Sequence, residues 1–169
     1  MKRVILLMIA FVAAGSGVIV QAASALNNVH LSNEQLLSRV AIEALAVEYF
    51  YLLDHGQADK LADLYTDDAV LDRGDGQVLV GRAAIAKYYA SRSTKNITRH
   101  VTTNLRLVFE TDNRVRGIRT FTHYSGPAAE QAPPAIPSVA EYEEVFVRGA
   151  DRQWRFASRK ITSLFSTRE

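Results

Sequence analysis

Cysteine is absent from the 169 residues of the chain, and proline and glycine are scarce, at four and nine positions. Without cysteine the protein has no disulfide scaffold, no thiolate metal site and no lipid-modified N-terminal cysteine. The low proline and glycine content excludes collagen-like and low-complexity chains. Apolar residues make up 48% and charged residues 22% of the chain. That balance predicts one ordinary globular domain with enough chain to bury a core.

An excess of one charge is also lacking once the first 25 residues are set aside. That segment contains Lys2 and Arg3 and no acidic residue, so the remaining 18 basic residues are matched by 18 acidic ones. Because nucleic acids are bound largely through excess positive charge, we expect no nucleic-acid partner.

The first 25 residues have the composition of a secretory signal peptide. Lys2 and Arg3 precede the apolar run 4–20, and small residues follow as far as Ala25. The alternative is an uncleaved membrane anchor. Residues 15–17 interrupt the run, however, and it is shorter than the about 20 apolar residues that span a bilayer.

The domain organisation follows from that interpretation. We predict a signal peptide at 1–25, a short linker at 26–32 and a folded domain at 33–169. The mature protein is then secreted or periplasmic, with no stable membrane insertion after cleavage.

Helical patterns dominate the first half of the domain. Ser32 to Gln35 form a capping box, and apolar residues at helical spacing continue to a stop at His55 and Gly56. Turns 47–53 are apolar on nearly every side, which predicts burial. Two shorter helices are predicted at 58–65 and 82–90, with a hairpin around residues 72–76.

From Thr98 the apolar pattern changes to period two, which predicts a strand. Further strands are predicted at 115–125, 139–147 and 154–162. The 126–138 loop between them contains all four prolines, and it could cover a pocket or be a plain surface insertion. Helices followed by antiparallel strands predict an α+β domain.

Five short motifs occur in order along this domain. They are Tyr49-x4-Asp54, Leu64-Tyr65-Thr66-Asp67-Asp68-Ala69, Gly81-Arg82-x2-Ile85, Arg99-His100-x3-Asn104 and Trp154-Arg155-Phe156-x2-Arg159. With the order of the elements, they resemble the SnoaL-like branch of the nuclear transport factor 2-like superfamily. The resemblance implies a cone-shaped α+β fold, in which a curved, mostly antiparallel sheet wraps the long N-terminal helix and encloses a pocket. It also implies a homodimer.

The same resemblance assigns candidate roles to residues. It includes the branch's hexachlorocyclohexane dehydrochlorinases, bile-acid 7α-dehydratases and scytalone dehydratases. Their catalytic histidine, aspartate and arginine correspond to His100, Asp54 and Arg159. The bile-acid enzymes also have a tyrosine that corresponds to Tyr49, and the scytalone enzymes have a second histidine that corresponds to His123. Dehydrochlorinases have a lysine at position 49 and bile-acid enzymes an acid at position 123, so the substrate stays open.

The chemistry of His100 and Asp54 is consistent with those roles. Removing a proton from carbon needs a base that titrates near working pH, which favours histidine. Asp54 lies at the predicted helix end, where the helix dipole disfavours its charge, so it calls for a partner. If that partner is His100, the carboxylate would orient the ring. The alternatives are a solvated helix-end acid and a surface histidine on an amphipathic strand.

Elimination also needs an acid or a positive charge for the departing group. Tyr49, His123 and Arg159 are the candidates. The alternatives are a core tyrosine, a strand-surface histidine and a solvated basic strand. Seven aromatic residues could either line a pocket or pack in the core: Tyr65, Tyr88, Tyr89, Phe121, Tyr142, Phe146 and Trp154. The sequence leaves open whether the side chains of Glu141, Glu143 and Glu144 point into the pocket or away from it.

We therefore expect a cofactor-independent lyase, with dehydration as the leading reaction, or an isomerase, acting on a small hydrophobic molecule. No metal is expected, because the four histidines include no pair at metal-binding spacing. A non-catalytic small-ligand-binding or dimerisation module of the same fold is the alternative. A hydrolase that uses the His-Asp pair to activate water is a third hypothesis.

Overall fold

The computed structural model describes residues 30–93, 95–127 and 137–166. The predicted signal peptide, most of the predicted linker and most of the proline-rich loop lie outside the described residues. The chain from Glu34 to Glu169 groups into one compact unit. Over the described ranges, no helix combines the length and the apolar character needed to cross a membrane.

Helices come first in this unit and long strands follow. The helices are α1 (Asn33–Asp54), a 3₁₀ helix (Ala58–Leu64) and α2 (Arg82–Ala90). The strands are β1 (Tyr65–Asp72), β2 (Val78–Val80), β3 (Asn96–Thr111), β4 (Arg114–Pro127), β5 (Ser138–Arg148) and β6 (Trp154–Phe165). The predicted α+β class and element order are confirmed. The helix predicted at 58–65 is a 3₁₀ helix, and Tyr65 already belongs to β1 because it pairs with Phe156 of β6.

The six strands form one sheet in the order β2-β1-β6-β5-β4-β3. All neighbours are antiparallel except β1 and β6, which are parallel. This open, curved sheet confirms the predicted cone-shaped architecture. The core lies between the sheet and α1, as Phe50 shows by packing on Phe121 of β4 and Tyr142 of β5 at ring-centroid distances of 5.7 and 6.1 Å.

Helix α1 turns one face toward the sheet. Ile42, Tyr49 and Leu53 recur at helical spacing and are buried. Val47 and Tyr51 lie on the other side and are 61% and 50% exposed. The prediction that turns 47–53 are buried on nearly every side is therefore wrong for that side. The helix ends at Asp54, directly before the predicted stop at His55 and Gly56, and the φ of +73° at Gly56 suits glycine.

A bulge in β3 decides which side chains face inward. The register with β4 shifts between Thr103 and Arg106, and Asn104 has a left-handed φ of 56°. Strict alternation would place His100 and Leu107 on opposite faces. The extra residue places both on the inner side, so that Leu107 packs against the core and the His100 side chain is only 7% exposed.

The bulge predicts a position-specific effect on stability. Asn104→Val should lower the unfolding free energy by about 1–2 kcal/mol, because a β-branched side chain is strained at positive φ. Asn104→Gly should change it by no more than about 0.5 kcal/mol. Urea denaturation of both variants measures the difference, and equal stabilities would contradict a left-handed residue here.

Candidate active site

A cavity of about 350 Å³ is lined by inward-facing side chains of the sheet and of α1. Strands β3 and β4 supply His100 and His123, which are direct cross-strand neighbours. Helix α1 supplies Tyr49, and β5 supplies Tyr142. Three of the five predicted site residues, Tyr49, His100 and His123, therefore line one cavity.

Asp54 closes α1 directly beside β3. Its Oδ1 lies 2.7 Å from Nδ1 of His100 and accepts the Thr98 hydroxyl at 2.9 Å. Its Oδ2 accepts the backbone N–H of His100 at 2.7 Å. Only 6% of the Asp54 side chain is exposed. The structure thus contains the hydrogen-bonded pair that the sequence suggested, and the alternatives of a solvated acid and a surface histidine do not describe these two residues.

The charge of Asp54 is set by opposing effects. Burial alone would raise the pKa of the carboxyl, but the hydrogen bonds and charge of His100 and the hydroxyl of Thr98 outweigh it, so the pKa lies below its usual 3.8. Asp54 is therefore a carboxylate at neutral pH. We assign the proton of neutral His100 to Nδ1, because a carboxylate accepts there, and this leaves Nε2 as the basic nitrogen.

The His100 ring lies between two other rings. It stacks on Phe50 at 4.5 Å with an interplanar angle of 12°, and on His123 at 4.6 Å with 25°. Phe121 approaches it at a centroid distance of 5.8 Å. These contacts and the bond to Asp54 leave the ring little freedom to rotate, and the Phe50 face favours a positive charge on it.

Tyr49 belongs to a cluster of buried hydroxyl groups. Its hydroxyl lies 2.7 Å from that of Tyr89, which lies 3.3 Å from that of Tyr65. Burial alone would raise the pKa of Tyr49, but the charge of Arg159 and hydrogen bonds lower it below 10.0. Burial raises the pKa of Tyr65, Tyr89 and Tyr142. The positive charge of Arg159 thus favours the ionised form of Tyr49.

Arg159 lies behind this cluster and does not line the cavity. It is fully buried, with its guanidinium 3.7 Å from the Tyr49 ring centroid and 4.0 Å from that of Tyr142. Its Nη1 donates to the Tyr65 hydroxyl at 2.9 Å. The predicted alternative of a solvated basic strand is wrong for Arg159. Its positive charge acts on the cavity because it contacts Tyr49 and Tyr142, which line the cavity.

Sequence reasoning missed the partners that hold Arg159. Oε1 of Glu144 accepts Nε of Arg159 at 2.9 Å and Nη2 of Arg119 at 3.0 Å, and all three side chains are fully buried. Nε of Arg119, Nη2 of Arg159 and Oε2 of Glu144 have no hydrogen-bond partner among the described residues. Two cations therefore share one anion. The sequence contains one indication of this: Glu144 lies two positions from Tyr142 and from Phe146, so all three side chains point to the same face of the strand.

Among the aromatic candidates, Tyr88, Tyr89, Phe121 and Tyr142 line the cavity. Tyr65, Phe146 and Trp154 do not line it and belong to the core. Glu143 points outward and lies 3.7 Å from Lys160. In the part of the chain that the structure describes, no three histidine or carboxylate side chains cluster as a metal site would require.

The lowered pKa of Asp54 predicts a change on the acid side of the stability curve. The hydrogen bonds of Asp54 stabilise the folded protein fully at pH values above 3.8, the usual pKa of the carboxyl in the unfolded chain. That stabilisation is lost as the pH falls through the lower pKa of the folded protein. Asp54→Asn should therefore lose less stability than the parent protein as the pH falls below 4. Denaturant titrations from pH 6 to pH 2 measure this.

Asp151→Asn is the positive reference for that experiment. Hydrogen bonds from Arg155, outside the cavity, also lower the pKa of exposed Asp151, to about 2, so this variant should differ from the parent in the same direction. A parent curve and an Asp54→Asn curve that run parallel through this range would contradict the bonded carboxylate.

The shared anion predicts a large loss of stability when it is neutralised. Glu144→Gln should lower the unfolding free energy by about 3–5 kcal/mol, because it leaves two buried guanidinium groups without a counter-charge. Glu143→Gln, at the exposed neighbouring position, should cost at most about 1 kcal/mol. Chemical denaturation compares the two, and a Glu144→Gln variant as stable as Glu143→Gln would exclude the buried pairs.

Comparison with known proteins agrees with this architecture. The family profile of the SnoaL-like domain matches residues 34–160. Among solved structures, a type 2 hexachlorocyclohexane dehydrochlorinase is 25% identical, with a TM-score of 0.68 over 78% of this chain and 88% of that chain. A scytalone dehydratase-like protein from Novosphingobium aromaticivorans is 21% identical, with a TM-score of 0.70 over 80% of this chain and 89% of that chain.

ActVI-ORFA from Streptomyces coelicolor is also similar, at 19% identity and a TM-score of 0.66 over 74% of this chain and 96% of that chain. No curated protein matches the sequence. The long helix, the curved sheet, the order of the elements and the extent of the profile match all lead to one assignment: the chain belongs to the SnoaL-like domain family and has the nuclear transport factor 2-like fold.

Proposed function

We propose that this protein is a cofactor-independent lyase of the dehydratase type, or an isomerase, that acts on a small hydrophobic molecule through proton abstraction by His100. The observation that carries this proposal is the Asp54–His100 hydrogen bond at 2.7 Å, with the His100 ring in the wall of a 350 Å³ cavity. The dehydratase-type and dehydrochlorinase-type names among the structural neighbours support it.

Nε2 of His100 is the proposed base. It removes a proton from a carbon next to a carbonyl or similar activating group, and the electron pair of that C–H bond forms the new double bond. Asp54 stabilises the resulting imidazolium through Nδ1 and keeps the ring in place. Phe50 adds its ring face to the same charge.

Tyr49 is the proposed acid. Its hydroxyl donates a proton to the departing hydroxide, so that water leaves. Arg159, whose guanidinium lies 3.7 Å from the Tyr49 ring centroid, stabilises the tyrosinate. The proton on His100 then returns to Tyr49 through solvent, which restores both residues. In an isomerase the same base would return its proton to another carbon. His123 lines the cavity beside His100 and is a second group that could bind a substrate oxygen.

The cavity wall favours a cyclic, largely apolar substrate. Tyr88, Tyr89, Phe121 and Tyr142 supply ring surfaces, and a volume of about 350 Å³ suits a compound of small-molecule size. Scytalone and hexachlorocyclohexane, the compounds in the names of two similar proteins, are both small ring compounds, which supports this class.

Export and assembly are further parts of the proposal. The signal-like composition of residues 1–25 supports a secreted or periplasmic location. Membership of a family that is often dimeric supports a homodimer.

A His100→Gln substitution tests the reaction. The parent protein is incubated in D₂O with a panel of cyclic β-hydroxy ketones and cyclic β-halo compounds that includes scytalone and γ-hexachlorocyclohexane. Mass spectrometry detects loss of water or hydrogen halide, and NMR detects exchange of carbon-bound hydrogen. We expect conversion or exchange of at least one compound and a rate about 10²–10⁴-fold lower in His100→Gln, because the base is lost.

His55→Gln is the matched control, because His55 is exposed and its ring contacts Tyr51 of α1, with Nδ1 2.7 Å from the Tyr51 carbonyl oxygen. Circular dichroism checks that each variant is folded. Parent-like rates in folded His100→Gln would refute the proposed base. Binding of a compound without any conversion or exchange would favour the ligand-binding alternative.

A further inference from the structure

Arg92 is a cation in the wall of the cavity that contains His100. It follows α2 and is partly buried, and its side chain makes no hydrogen bond or ion pair with any described residue. Its backbone is held, because its N–H donates to the Tyr89 carbonyl at 3.2 Å. A cation at a cavity wall that forms no ion pair with a described residue is suited to bind an anion.

Arg92 also occupies a distinctive place between cavities. It lines the cavity that contains His100 and a neighbouring one of about 310 Å³ that reaches Asp54 and Arg99. An anion on its guanidinium would therefore lie at the edge of the aromatic pocket, on the side of the Asp54–His100 pair.

The other arginine in the wall of the His100 cavity is already paired. Arg73 contacts Asp75 at 3.0 Å and lies over the Tyr88 ring at 4.2 Å, and it also bonds to Gln77. Among the described residues of this wall Asp75 is the one acid, and its ion pair with Arg73 is neutral overall. Among the described residues that line this cavity, Arg92 is the charged side chain without an ion pair.

We propose that Arg92 binds a carboxylate of the ligand, and that the ligand is therefore a hydrophobic ring compound that carries an acidic group. A guanidinium donates two parallel hydrogen bonds to a carboxylate, which fixes the orientation of the ligand as well as adding affinity. The rings of Tyr88, Tyr89 and Phe121 supply the apolar wall for the remainder. This inference rests on the proposed function in that it uses the same cavity, but it does not depend on proton abstraction by His100.

Binding without turnover tests it. Biphenyl-4-carboxylate and biphenyl-4-carboxamide have nearly the same shape and differ in charge at pH 8. Isothermal titration calorimetry measures both with the full chain. We expect the carboxylate to bind the parent protein at least tenfold more tightly than the carboxamide, and Arg92→Gln to reduce that ratio to about one. Arg92→Lys should retain part of the preference, because the charge remains but the fork of donors is lost.

Arg106→Gln is the matched control. Arg106 also forms no ion pair with a described residue, but it lines a groove on the other face of the sheet. It should keep the full preference for the carboxylate. Thermal denaturation verifies that all variants are folded.

Three results would overturn the proposal: equal binding of the two probes, no binding of the carboxylate, or a preference that survives in Arg92→Gln. A preference lost in His100→Gln but kept in Arg92→Gln would assign the anion to the Asp54–His100 pair instead. Because none of these measurements involves catalysis, a failure of the carboxylate site is distinguishable from a failure of the proposed reaction.

Discussion

The Asp54 carboxylate joins the end of α1 to the first residues of β3, and the proposed chemistry depends on that junction. A negative charge at a helix C-terminus that is also buried is unfavourable on both counts. Here the ring and the backbone N–H of His100 and the hydroxyl of Thr98 all donate to it. These donors offset the burial and keep the group ionised. The same bonds fix the His100 ring, so one interaction determines both the position of the proposed base and which of its nitrogens is free.

A second constraint lies deeper, where Arg119 and Arg159 share Glu144. An interior with two cations and one anion costs stability, because each ion loses its hydration. Ring faces of Tyr49 and Tyr142 compensate part of that cost for Arg159. The excess positive charge lowers the pKa of Tyr49 at the cavity wall. A costly interior arrangement thus gives one tyrosine an unusual acidity, as is common at functional sites.

Most of the fold could be predicted from local patterns. The capping box, the glycine stop at Gly56 and the period-two strands depend on contacts within a few residues, and these elements appear where they were predicted. The bulge at Asn104 could not be predicted, because one inserted residue leaves the composition of a strand unchanged while it reverses which face each later side chain takes. Because of that reversal, the alternating polar residues that include His100, before the bulge, and the alternating apolar residues that include Leu107, after it, both face the interior.

The sequence by itself determined the element order, the family resemblance and the identity of the candidate residues, since these follow from residue types and spacing along the chain. Only the tertiary structure decided which of them meet. Asp54 and His100 are 46 positions apart, and their contact depends on how the sheet curves around α1. The same curvature buries Arg159 behind Tyr49 and leaves Arg92 at the cavity wall. Burial and long-range pairing are properties of the packed chain, and they set the charge and pKa on which any chemistry of this site depends.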